Sequence, residues 1–316
     1  MDTKRDSEIR LFLILAIILS ILFVFSFISG SISQRKDISV PTEVTSNPFL
    51  HLTLEAKAVY VYDTRTKTVL FAKNENSRLP LASLTKLMSA VVALDSAHLD
   101  EVITVSKDAL SAEGNNGLRV GERWTLGKLL DFSLVTSSND GMHAIALSLG
   151  ALPNAGVNPE TSVNNFVRAM NGKASDLGLK NTYFFNETGL DNSDVKGGGY
   201  SSARDVNAFL EYVLGHYPQM LDLTSEATLT LDSLEYSHVV QNTNTIVSQI
   251  PGLLASKTGL TDIAGGNLVI VFDPELGRPF IVSILGSTES GRFEDARVLV
   301  SAIMDYIGNS KLKIEN

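Results

Sequence analysis

The sequence predicts an α/β fold of the α+β type: one sheet built from both ends of the folded part, with a mainly helical region inserted between them. Strand-like runs follow one another after residue 57, a long middle section keeps helical spacing, and strand-like runs return before a closing helix. Helices must then flank the sheet.

Ahead of that domain, Leu11 to Ile28 (LFLILAIILSILFVFSFI) carries no charge. At ~1.5 Å per residue it would reach roughly 27 Å as a helix, nearly the thickness of a bilayer core. The expectation is a transmembrane signal anchor over residues 11–30 after a cytoplasmic tail of residues 1–10, although Ser29, Gly30 and Ser31 would also tolerate signal-peptide cleavage. Lys4, Arg5 and Arg10 before the span, against Arg35 and Lys36 after it, give only a slight bias towards a cytoplasmic N-terminus. Residues 31–53 mix Ser, Thr, Pro and charge without a period and read as a linker, which leaves residues 54–309 as the folded domain and 310–316 as a tail.

Within the domain, Lys57 to Asp63 (KAVYVYD) and Thr68 to Ala72 (TVLFA) are β-branched and aromatic runs on either side of the polar TRTK, the pattern of a hairpin. After Pro80 the period changes: Leu84, Leu87, Met88, Val91 and Val92 predict a helix from near Ser83 to about His98. Leu126, Leu129, Leu130 and Leu134 form a second helical stripe, and Met142, Ile145, Ala146 and Leu149 a third. The turn formers from Ser137 to Gly141 should separate those two helices. Val163, Phe166, Val167, Met170 and Leu177 supply another before the Gly-rich KGGGYSS. Thr228 to Leu231 then alternates, Asn267 to Phe272 (NLVIVF) is almost wholly apolar, and Phe280 to Leu285 follows a turn at DPELGRP. Phe293, Ala296, Val300, Ile303, Met304 and Ile307 make the closing helix.

Composition narrows the chemistry. The 316 residues contain no cysteine, so thiolate nucleophiles, thiolate metal sites and disulfides are all excluded. A net charge of −9 and no dense Lys/Arg run leave little with which to track phosphates, and no nucleic-acid partner is expected. The five histidines (His51, His98, His143, His216, His238) include no H-E-x-x-H or close ligand pair and read as solvated or core side chains. Trp124 reads as packing and Asp205 as a cap or ion pair.

Ser83-Leu84-Thr85-Lys86 places a hydroxyl and an amine three residues apart at a helix start, on one face, where free N–H groups favour a developing anion. Alone it is also compatible with Ser83 as a helix cap, and Ser-x-x-Lys recurs at Ser33 to Lys36 and Ser193 to Lys196. Ser137-Ser138-Asn139 offers a second hydroxyl and an amide; Ser162-Val163-Asn164 has the same pattern. Lys257-Thr258-Gly259 is the sole Lys-Thr-Gly, and a lysine at a sheet edge can serve solubility alone. Order and distance change that balance: Ser-x-Asn follows Ser83 by 54 residues and Lys-Thr-Gly follows Ser137 by 120. These three elements, in this order, are the active-site set of penicillin-recognising serine enzymes.

The likeness extends further. PLASLTKLMSA, SSND, FVRAMNGKASDLGLKNTYFFNETGLDN, YSSARDV and SKTGLTDIAGGNLVIVF resemble the serine D-alanyl-D-alanine carboxypeptidases, the low-molecular-mass penicillin-binding proteins of peptidase family S11, over roughly residues 54 to 308. The resemblance implies a β-lactamase/transpeptidase-like fold with an antiparallel sheet, and acyl transfer on the D-Ala-D-Ala end of a peptidoglycan stem peptide. It implies Ser83 as nucleophile, Lys86 as its base, Ser137 as proton relay and Asn139 as orienting amide. Lys257 and Thr258 would bind the substrate carboxylate, Gly259 would leave the strand edge open, and the N–H groups of Ser83 and Leu260 would form the oxyanion hole. β-Lactams would acylate Ser83. No cofactor is implied. Ala255 and Ser256 stand where the family often has glycine and an aliphatic residue, and the N-terminal span would replace the C-terminal membrane helix of well-known members. The implied substrate places the domain outside the cytoplasmic membrane. A D,D-endopeptidase and a catalytically inactive, membrane-tethered wall-binding protein remain alternatives. A class A β-lactamase would need a deacylating glutamate on a loop after Ser-x-Asn, and none lies between Glu160 and Glu187.

Overall fold

The computed structural model describes residues 10, 13–22, 47–114, 116–152 and 156–312. The chain divides into an N-terminal unit, Met1–Ser46, and a large unit, Asn47–Asn316. In the first, residues 13–22 are helical (α1). Among the described residues no helix is long and apolar enough to cross a membrane. Much of the expected span over 11–30, together with residues 31–46 of the expected linker, lies outside the described residues.

The large unit takes in the chain from Asn47, ahead of the expected start at residue 54, because Phe49 is buried against the rings of Phe71 and Tyr306. β1 (Ala58–Asp63) and β2 (Thr68–Lys73) form the expected hairpin. From the other end of the chain come β10 (Leu253–Thr261), β11 (Gly265–Phe272) and β12 (Phe280–Ser287). All pairings are antiparallel and the order is β10-β11-β12-β1-β2, so the first and last strands of the domain meet at the register Val61↔Val282.

Side chains alternate across this sheet with the period of two that strands impose. Val59, Val61, Leu268, Ile270, Phe272, Phe280, Val282 and Ile284 join one buried cluster with Ala296, Leu299, Ile303 and Ile307 of the closing helix α7 (Gly291–Leu312). Ala58, Tyr60, Val269, Val271, Ile281 and Leu285 face the other way, into a cluster shared with the inserted helices. Those are α2 (Thr85–Ser96), α3 (Leu126–Val135), α4 (Asn139–Gly150), α5 (Pro159–Asp176) and α6 (Ala203–His216). Buried Asn207 of α6 donates to Tyr60 O at 3.1 Å and so seats the helix on the sheet.

The short strand β7 (Gly199–Ser201) pairs with β3 (Leu79–Pro80) and β6 (Tyr183–Phe184), and β4 (Val102–Thr104) pairs with β5 (Arg123–Thr125); two or three residues carry no period for a sequence to show. The hairpin of β8 (Thr228–Asp232) and β9 (Ser237–Gln241) was read only in its first strand; SHVVQ is mostly exposed and lacks an apolar face. Trp124 is fully buried, as the packing reading expected; the cap of α6 is Ser202, which accepts from Asp205 N, so the cap reading of Asp205 is corrected: its carboxylate accepts from Asn181 N and Thr182 Oγ1 and ties α6 to that turn.

Candidate active site

Ser83 does not cap a helix. It sits in a 3-10 turn, Ala82–Leu84, that leads into α2, and neither helix start has a side-chain cap. Ala82 before it holds φ at +47°, a left-handed conformation costly to alanine. The turn is gripped from two sides. A Cβ on Gly259 of β10 would stand 2.7 Å from Leu81 O, and one on Gly189, itself at φ +84°, would stand 1.9 Å from Ala82 O. Both positions therefore require glycine for close approach. Asn267 of β11 adds a hydrogen bond to Pro80 O at 2.9 Å and accepts from Gly286 N at 2.7 Å.

Lys86 lies one helical turn beyond Ser83, with no exposed surface. Its Nζ is 2.9 Å from Ser83 Oγ, 2.6 Å from Asn139 Oδ1 and 2.8 Å from Thr188 O. Burial drives its pKa down to about 7, with the negative charge of Glu187 acting in the opposite direction. As a neutral amine Lys86 has two N–H donors and one lone pair. Asn139 Oδ1 and Thr188 O accept the two donors, which leaves the lone pair for the Ser83 O–H.

The turn between α3 and α4 brings the second motif. Ser138 caps α4 through Gly141 N at 3.0 Å, while Ser137, at φ +61°, turns its hydroxyl to Lys257 Nζ at 2.8 Å. Asn139 also donates to Glu113 O at 2.6 Å, so both ends of its amide are fixed. Lys257 is 2 % exposed, which removes the solubility reading of a sheet-edge lysine. Burial first, then the charges of Lys86 and Arg292, hold its pKa well below the ordinary lysine value. Thr258 Oγ1 is 2.6 Å from Thr243 Oγ1, and Leu260 lies on the edge strand opposite Gly266 with its side chain exposed.

All three expected motifs thus meet through two lysines: Lys86 joins Ser83 to Asn139, and Lys257 joins its own strand to Ser137. The competing Ser193 to Lys196 is an exposed loop with Lys196 over the Phe185 ring, Ser162 is turned to Asn158 O, and Ser33 to Lys36 falls outside the described residues. Three groups at the site escaped the sequence reading. Thr188 contributes a backbone carbonyl, which no residue type announces. Thr243 lies in a loop without pattern. Arg292, from the first turn of α7, reaches Gly259 O at 2.7 Å and is 6 % exposed, yet nothing local in FED marks it. Ser256, an expected point of departure, binds Thr224 through both its N–H (3.0 Å) and its hydroxyl (2.9 Å), which fixes β10 where an aliphatic side chain would only pack.

The D-alanyl-D-alanine carboxypeptidase model of peptidase family S11 matches residues 42–288. A D-alanyl-D-alanine endopeptidase of Pseudomonas aeruginosa is 32% identical over 245 residues, 74% of each chain. A D-alanyl-D-alanine carboxypeptidase of Bacillus subtilis is 33% identical over 214 residues, 66% of this chain and 51% of that one. Among solved structures, a D-alanyl-D-alanine carboxypeptidase from Mycobacterium tuberculosis H37Rv superposes with a TM-score of 0.68 at 26% identity, covering 80% of this chain and 92% of its own. The Streptomyces K15 DD-transpeptidase does so at 0.69 and 25%, covering 79% and 97%. With the family model spanning most of the domain, the chain belongs to the D-alanyl-D-alanine carboxypeptidase family, peptidase S11.

Proposed function

We propose that this protein is a serine D,D-carboxypeptidase that removes the terminal D-alanine from peptidoglycan stem pentapeptides through an acyl-enzyme on Ser83. The observation that carries the reading is the 2.9 Å approach of a buried, weakly basic amine to the Ser83 hydroxyl. Lys86 takes the hydroxyl proton as Ser83 Oγ attacks the carbonyl of the penultimate D-alanine. The N–H groups of Ser83 and Leu260 receive the oxyanion, each worth about 3–4 kcal/mol in comparable acyl transfers. As the C–N bond breaks, Ser137, bonded to Lys257, passes a proton to the departing D-alanine amine and is resupplied with the proton that Lys86 took from Ser83, which restores Lys86 as a base. Lys257 and Thr258 bind the terminal carboxylate, and the buried charge of Arg292 beside Gly259 adds to that field. Water then releases the shortened peptide.

The same residues would serve a D,D-endopeptidase, a reading favoured by the name of the Pseudomonas relative. A pentapeptide and a cross-linked dimer assayed side by side separate the two: free D-alanine from the pentapeptide is expected, and cleavage of the dimer alone would replace the carboxypeptidase reading. Ser83→Ala should take no labelled penicillin and lose D-alanine release about a thousandfold or more while remaining folded. We read residues 11–30 as the anchor that holds the domain outside the cytoplasmic membrane, motivated by the uncharged run and by where peptidoglycan lies. Recovery of the intact N-terminus in the membrane fraction supports this; a mature protein starting after residue 30 overturns it.

A further inference from the structure

Two residues with no role in that scheme stand beside its base. His143 lies on α4 four residues after Asn139, so the two side chains share a face. Its Nδ1 is 2.6 Å from Glu187 Oε1, and the Glu187 side chain is 4% exposed. Ser89 stands one turn beyond Lys86 on α2 and donates to Glu187 O at 2.6 Å. Lys86 donates to the next carbonyl, Thr188 O, at 2.8 Å, and Gly189 N to Asn186 Oδ1 at 2.7 Å. Helices α2 and α4 each present two side chains to the pair Glu187–Thr188: Lys86 with Ser89, and Asn139 with His143, the amide of Asn139 acting through Lys86 Nζ.

We propose that Glu187, held by His143, is a positioning residue for acylation: it sets the Thr188 carbonyl against Lys86 and supplies the buried negative charge that this amine faces. The inference rests on Lys86 acting as the base for Ser83. Proton transfer from Ser83 turns Lys86 into an ammonium with no exposed surface, where an opposite charge is worth most as that charge develops. No relief comes from Lys257 and Arg292: the charges of Lys86 and Arg292 both lower the pKa of Lys257, so positive charges on that side repel one another. On the side of His143 stand Asp140 of α4 and, lining the cavity outside it, Asp108 and Glu160. Glu187 alone of these acids bears on Lys86, in the direction that keeps it basic. Deleting the charge should leave a weaker base, deprotonated at lower pH but a poorer acceptor for the serine proton.

The test is the rate of acylation by a fluorescent penicillin, followed from about pH 5 to about pH 9, in the full chain and its Glu187→Gln, Glu187→Asp and His143→Leu variants. Glu187→Gln keeps an oxygen for His143 and removes the charge; its acidic limb should move down by about half a pH unit or more, with a plateau about tenfold lower. Glu187→Asp should keep the wild-type limb. His143→Leu strands a buried carboxylate, which burial disfavours in its charged form, so its limb should move the same way and stands in should Glu187→Gln fail to fold. A limb unmoved in whichever of the two folds, with the rate merely scaled down, overturns the inference alone. A wild type that takes no label at any pH overturns the carboxypeptidase reading, and this inference with it.

Discussion

The two faces of the five-stranded sheet are built to different ends. Towards α7 the strands present Val59, Val61, Ile270, Val282 and Ile284 to Leu299, Ile303 and Ile307, and the buried carboxylate of Asp295 is satisfied by Glu55 N, Ala56 N and Ser287 Oγ at 2.8–2.9 Å. Towards the inserted helices lie two buried lysines, the turn of Ser83 entered through a strained alanine, and buried Thr85 Oγ1, Asp140 Oδ1 and Asn207 Oδ1 without a protein hydrogen-bond partner. One face holds the domain together. The other accepts costs in desolvation and backbone strain around Ser83 and its two lysines, a pattern that functional sites share.

That contrast can be broken first from the stable side. Leu299 has no exposed surface, and Leu299→Ala should lower the unfolding free energy by about 2–5 kcal/mol, read from urea denaturation. Acylation of Ser83 well below the melting temperature should change less than twofold. A large loss of acylation in the folded variant would mean that the α7 face shapes the site, through Arg292.

From the costly side, the largest handle is pH. With the native Lys86 pKa at about 7 and an unfolded value near 10.4, the unfolded chain binds the extra proton between those limits. Stability from this group therefore rises with pH across that window, by up to about 1.4 kcal/mol per unit, and is flat below it, where both states are protonated. In paired unfolding measurements near pH 7.5 and pH 9.5, wild type should gain about 2 kcal/mol relative to Lys86→Met. A constant difference would make Lys86 an ordinary ammonium and leave Ser83 without its base.

Much of this division was readable beforehand, for identifiable reasons. Alternation in KAVYVYD and the apolar NLVIVF placed strands at both ends because period-two burial has few other solutions. Ser83, Lys86, Ser137, Asn139 and Lys257 were singled out because chemistry confines those roles to few residue types, in an order that chance seldom supplies. What stayed hidden was long-range or carried by backbone. Thr188 acts through a carbonyl. Arg292 arrives from the opposite end of the domain, and His143 gains a partner 44 residues away only when α4 and the 186–190 segment fold together. Gly259 was expected to open the strand edge to substrate; the fold gives it a further task, close passage of Leu81 O.

The smallest expected effect separates strain from packing. Among the described residues six non-glycines hold positive φ; four lie at surface turns and bends, while Ala82 and Ser137 flank the reacting centre. Ala82→Gly would relieve about 1–2 kcal/mol of left-handed strain. It would also lose a buried methyl worth about 0.8 kcal/mol and loosen the unfolded chain by about 0.4–1 kcal/mol. These terms nearly cancel, so unfolding free energy should stay within about 0.5 kcal/mol of wild type. Acylation should nevertheless fall several-fold, because a glycine lets the turn sample orientations in which Ser83 Oγ leaves Lys86. A variant more stable by over about 1 kcal/mol with wild-type acylation would make the strain incidental to the chemistry and confine the cost of this face to its lysines.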